Sequence, residues 1–150
     1  MHRSFFLLYR LFVTGLTGAS FLGKLISIFR DSPGIGESHP LIPIVSTSQI
    51  LIAAIGLEGL LLVVLICSCN EQLILASVSS VYCIFAAYRL AVYTSGISFD
   101  CHCFGRLHEI FGMTASASNR FSAIALITIL GWGLAISLIW STPRQAVRVK

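Results

Sequence analysis

The chain has 150 residues, of which 56% are hydrophobic and only 11% charged, and its mean hydropathy is +0.89. A soluble domain carries about a quarter charged residues, so this composition excludes one and places the chain in a membrane. The formal net charge of +4 then reads as a membrane-orientation signal and needs no nucleic-acid partner.

About 20 apolar residues span a bilayer core of roughly 30 Å. Four such windows occur, near residues 5–29, 50–67, 73–94 and 121–140. They lack the period-2 alternation of a barrel strand, and open sheet edges cannot face lipid, so helices remain. The expected fold is all-α, a four-helix transmembrane bundle forming a single integral membrane domain over 1–150, with helices at about 5–29, 47–67, 73–94 and 118–140.

The first window follows Met1-His2-Arg3 and contains Thr17-Gly18-Ala19, features shared with cleaved signal peptides, but its apolar run continues to Phe29 and reads as an uncleaved helix. It carries Arg10 and Lys24. The loop after it holds three of the four prolines: Pro33, Pro40 and Pro43. Ser46 with Gln49 has the form of a capping box, which starts the second helix near Thr47. Glu58 lies inside that helix and Cys67-Ser68-Cys69 ends it. The third helix contains Cys83 and Arg89 and stops at Ser95-Gly96. An outer loop, 95–117, follows, and the fourth helix runs to Trp140, an interfacial anchor, with Pro143 discouraging continuation.

Orientation follows from the basic residues, which are retained in the cytoplasm. Arg144, Arg148 and Lys150 in the tail and Arg3 in the head make both termini cytoplasmic, as an even helix count requires. The expected location is the cytoplasmic (inner) membrane, crossed four times. The loop 95–117 then faces outward, periplasmic in a Gram-negative host, on the side where disulfides persist.

That loop reads Cys101-His102-Cys103-Phe104-Gly105. A Cys-x-Cys pair can bring its Cα atoms within the roughly 4.4 to 6.8 Å of a disulfide, and the small ring is strained. Strained, accessible disulfides suit exchange better than permanent bracing. Gly105 lets the chain turn and present the sulfurs. A fixed brace or two unpaired thiols is the plainer alternative. His102 can tune the thiols beside it, and Cys101, His102, Cys103 and His108 are also ligand types that Cu(I) or Zn(II) accepts, although the usual two-residue zinc spacer is missing. Cys67 and Cys69 would have to unwind their helix end to bridge, and Cys83 reads as a small buried apolar residue.

Intramembrane charges are expensive and normally face the bundle interior or water. At 1.5 Å per residue, Lys24 and Arg89 lie about 8 Å below the outer ends of their helices and Glu58 lies somewhat deeper. The three are expected to meet beneath the loop, where two cations and one carboxylate leave a net positive site that favours a thiolate. The alternative is that Glu58 neutralises one cation while the other snorkels. Arg10, near the cytoplasmic end, is expected to snorkel.

Together, "LLYRLFVTGLTGASFLGKL" with Arg10 and Lys24, "IGLEGLLLVVL" with Glu58, and "CHCFG" ahead of "SNRFSAIAL" resemble the MauE branch of the DoxX-like membrane proteins over nearly the whole chain. The resemblance implies a four-helix membrane protein associated with redox and thiol chemistry. It further implies work with a thioredoxin-like extracytoplasmic partner on the maturation of a disulfide-containing client. It implies that Cys101 and Cys103 are the redox pair, one attacking and the other resolving, and that Arg10, Lys24 and Glu58 occupy family helix positions, with Lys24, Glu58 and Arg89 setting the electrostatics. His102 departs from the glycine expected between the cysteines and alters the strain of the pair. Two roles stay open: a thiol-disulfide oxidoreductase, or a non-enzymatic assembly factor whose loop disulfide shapes a docking surface. The residues name no cofactor and leave the involvement of a quinone open.

Overall fold

The computed structural model describes residues 2–29, 44–96, 112 and 114–141. They form four helices: α1 His2–Phe29, α2 Thr47–Cys67, α3 Glu71–Thr94 and α4 Ala115–Ser141. The all-α expectation is met, and each helix is long and apolar enough to cross a membrane.

Local chemistry sets the ends. The Ser46 side chain accepts from the Gln49 backbone N–H, and the Gln49 side chain accepts from the Ser46 N–H, so the capping box predicted from spacing is formed. Asn70 caps α3 by accepting from the N–H groups of Gln72 and Leu73, which starts the helix at Glu71, two residues before the expected 73. Ser95 closes α3, and Gly96 follows with φ +67°, a left-handed conformation that glycine adopts without strain. Thr114 accepts from the Ala117 N–H, so residues 115–117 belong to α4 and not to the preceding loop.

The side chains of each helix then fix its rotation. On α1 the buried positions are Phe6, Tyr9, Val13, Thr17, Ser20, Lys24 and Ser27. Their steps of three and four residues draw one stripe along the helix. On α2 the seam is Leu51, Glu58, Leu61 and Leu65, and on α4 it includes Ser122, Ala125, Ile129 and Ile136. The opposite faces expose Leu60, Ile66, Leu90, Ile127 and Leu134. Such broad apolar exposure on all helices is what lipid accommodates and water does not.

Neighbouring helices run antiparallel. Lys24, late in α1, pairs with Glu58 near the middle of α2, whereas Arg10, early in α1, reaches Leu65 and Ile66 at the end of α2. Arg89, late in α3, bonds to Ser122, early in α4. Contacts of α2 with α3 and of α1 with α4 close the ring. The bundle therefore has two ends of different character. Near the Arg10 end, Phe6, Tyr9, Val13, Leu65, Ile74, Val78 and Ile136 belong to a dry core. There Gly133 lets α4 approach α1, since a Cβ on it would lie 2.9 Å from the Tyr9 hydroxyl. Near the Lys24 end the packing opens into a cavity.

Candidate functional site

The polar stripe of α1 delivers Lys24 into the bundle, where its exposure is 4%, and the α2 seam delivers Glu58 opposite it at 3%. Lys24 Nζ donates to Glu58 Oε1 at 2.6 Å and to Ser20 Oγ at 2.6 Å, while Ser20 Oγ donates to the same Oε1 at 2.8 Å. Both donors converge on one carboxylate oxygen. The other, Oε2, is buried without a hydrogen-bond partner. Lys24 Nζ also lies 5.6 Å from the centre of the Phe85 ring, within the reach of a cation–π attraction.

Beside this pair is a cavity of about 270 Å³ with walls from all four helices. Its lining is mostly apolar and aromatic, including Leu51, Ala54, Phe85 and Leu126, and its polar groups include Ser20, Lys24, Glu58, Tyr82, Arg89 and Ser122. The Tyr82 hydroxyl is held 2.8 Å from Thr17 Oγ1, which ties α3 to α1 at the level of the cavity. An Arg89 guanidinium N–H donates to Ser122 Oγ, tying α3 to α4. The arrangement can bind an amphiphilic molecule from the lipid phase: the walls take an apolar body and the ion pair with Arg89 takes a polar head.

Lys24 and Glu58 meet as the sequence predicts, and Arg89 shares their cavity wall. The ion pair of Glu58 is with Lys24, whereas Arg89 bonds to Ser122 on α4. Arg10 reaches across to the end of α2. Its Nε donates to the carbonyl of Leu65 at 2.6 Å and an Nη to that of Ile66 at 3.1 Å, so it caps the last turn of α2, whose carbonyls have no helical partner. Cys83 is exposed on the lipid-facing side rather than buried, and Cys67 and Cys69 are free, exposed thiols at the Arg10 end. Cys101, His102, Cys103, Gly105 and His108 lie outside the described residues, in the stretch joining α3 to α4. The candidate metal ligands are therefore among them, and no group of three or more His, Cys, Asp or Glu able to hold a metal occurs among the described residues.

Sequence reasoning missed Ser20, Ser122 and Tyr82. The signal for Ser20 was present: Thr17, Ser20, Lys24 and Ser27 repeat at three and four residues and mark one polar face. Ser122 and Tyr82 carry no comparable signal, since other polar residues stand close to each, Ser79 and Ser80 before Tyr82 and Ser118 to Arg120 before Ser122, and nothing singles either out.

Comparison with protein families matches the chain, over residues 2–141, to the family described as "Methylamine utilisation protein MauE". Comparison with curated proteins and with solved structures gives no match.

Proposed function

The chain belongs to the MauE family, and from that premise we propose that it performs or assists thiol-disulfide exchange on the extracytoplasmic face of the membrane. In this reading Cys101 and Cys103 are the exchanging pair, the partner is thioredoxin-like, and the client is an exported protein of methylamine utilisation whose disulfides must be formed correctly. The family match carries the proposal. It is supported by two cysteines separated by a single residue in the segment joining two membrane-spanning helices.

The chemistry is a relay of one disulfide. A thiolate of the client or partner attacks one sulfur of the Cys101–Cys103 bridge, a mixed disulfide forms, and a second thiolate of the client resolves it, leaving two thiols on the loop. Two electrons and two protons thereby pass from client to loop. The reverse sequence reduces a wrong bridge. Lys24 and Arg89 lie at the end of the bundle from which this segment extends, and each contributes positive potential there. A positive field favours the thiolate over the thiol.

The experiment is replacement of Cys101, Cys103 or both by Ser, followed by mass-spectrometric mapping of the client's disulfides. Loss of correctly bridged client with an inserted, folded variant is expected, because neither cysteine belongs to the helix seams. A fully and correctly oxidised client in the double variant overturns exchange and leaves the docking role in its place.

A further inference from the structure

We propose that the cavity between the four helices binds a lipid-soluble hydroquinone, with a ring hydroxyl donating to the unpartnered oxygen of Glu58. Four observations lead there. First, the walls are drawn from the membrane-spanning segments, so an occupant comes from the lipid phase. Second, a volume of about 270 Å³ suits one substituted ring and the first part of a tail. Third, α3 lines it with Tyr82, Phe85 and Tyr88, aromatic faces against which a flat ring packs in offset or edge-on geometry.

The fourth observation selects the head group. Glu58 Oε1 is served by Lys24 and Ser20, but Oε2 has no partner although the residue is only 3% exposed. A buried acceptor without a donor is costly, and more so where no bulk water is near. Glu58 lines the cavity, so a small turn of the carboxyl brings Oε2 to a hydroxyl inside it. A hydroxylated ring supplies that donor, whereas an acyl chain does not.

The choice of a redox-active ring over another hydroxylated lipid rests on the thiol-exchange reading. Converting two thiols to a disulfide releases two electrons and two protons. A quinone accepts the same number of each to become a hydroquinone, so the loop pair is reset and the cavity is left holding the reduced carrier.

The test is equilibrium binding to the full-length protein in nanodiscs, using a decyl-chain benzohydroquinone and its dimethyl ether, which keeps the shape and has no hydroxyl. The hydroquinone is expected to bind roughly tenfold more tightly, the value of one hydrogen bond to a charged group. Ala54→Phe, which fills the cavity, should abolish binding of both. The double variant Lys24→Met with Glu58→Met keeps the seam filled and should erase the difference between them. Equal affinities in the unaltered protein would identify an acyl-chain groove only and sink the proposal, as would binding that survives Ala54→Phe. The Cys101→Ser, Cys103→Ser variant should bind as the unaltered protein does. If binding behaves as expected but a quinone never oxidises the loop thiols, the cavity assignment stands and its role in resetting the loop pair falls.

Discussion

A lysine and a glutamate inside a membrane are each unfavourable alone, and their value to the fold lies in being together. Lys24 and Glu58 are held at 2.6 Å with Ser20 bridging them. Removing one partner strands a charge among apolar side chains, whereas removing both leaves methylenes in a seam already lined by Leu51 and Leu61. Glu58→Leu is therefore expected to destabilise the bundle by about 3 to 5 kcal/mol, and Lys24→Met by a similar amount. The combined Lys24→Met, Glu58→Met protein should recover most of the loss, so the two effects should be strongly non-additive. Denaturant unfolding in mixed micelles, followed by circular dichroism, measures all three. Additive losses would show that the two side chains stabilise the bundle independently. That these residues mark a site was legible in the sequence, because intramembrane charges stand out against an apolar background. Which cation takes the carboxylate was not, since that depends on how each helix is rotated about its axis. The apolar residues of a lipid-facing helix do not reveal that rotation, as inside and outside are both hydrophobic.

Helix ends respond to different signals, and their legibility varies accordingly. The start of α2 was readable because Ser46 and Gln49 sit directly before an apolar run. Asn70 stands instead in the polar stretch Ser68 to Gln72, where no change of periodicity marks the first turn of α3. The end of α2 is the clearest case of a long-range cap. Its last carbonyls have no helical donor, and Arg10 crosses from α1 to supply two N–H groups to Leu65 and Ile66. No local pattern in α2 announces this, because the residues are separated by more than 50 positions in the chain. A planar guanidinium meets two adjacent carbonyls at once, which an ammonium on a flexible stem does less well. Arg10→Met should cost about 1.5 to 3 kcal/mol, and Arg10→Lys should recover only part of it. Hydrogen exchange of the Cys67 and Ser68 amides reports the same event locally and should quicken in Arg10→Met. Unchanged exchange there would mean that α2 holds its last turn without the arginine.

At the scale of the whole molecule, the antiparallel ring makes a statement about sidedness that does not depend on which way the protein is inserted. Cys67 and Cys69 lie where α2 ends, beside Arg10, and both are exposed. Cys101 and Cys103 follow α3, whose last turn lies at the opposite end, as the pairing of Arg89 with Ser122 near the start of α4 requires. One membrane thickness, roughly 30 Å, separates the end of α2 from the end of α3, and thiols held at the two ends would be too far apart for direct exchange. An impermeant maleimide applied to intact cells after mild reduction should therefore modify one pair and spare the other, and inverted vesicles should exchange the result. Under the proposed orientation, in which Arg144, Arg148 and Lys150 of the tail are retained in the cytoplasm, the pair expected to react from outside is Cys101 and Cys103. Variants carrying only one of the two pairs make the labelling unambiguous, and replacing exposed Cys83 by Ala in both removes the remaining thiol. Labelling of Cys67 and Cys69 alone from outside would keep the bundle and invert its orientation, moving the proposed exchange into the reducing compartment and defeating it. Labelling of both pairs from one side would sink the sidedness argued from the antiparallel ring, and with it the proposed link between the cysteines and the Lys24–Glu58 end of the bundle.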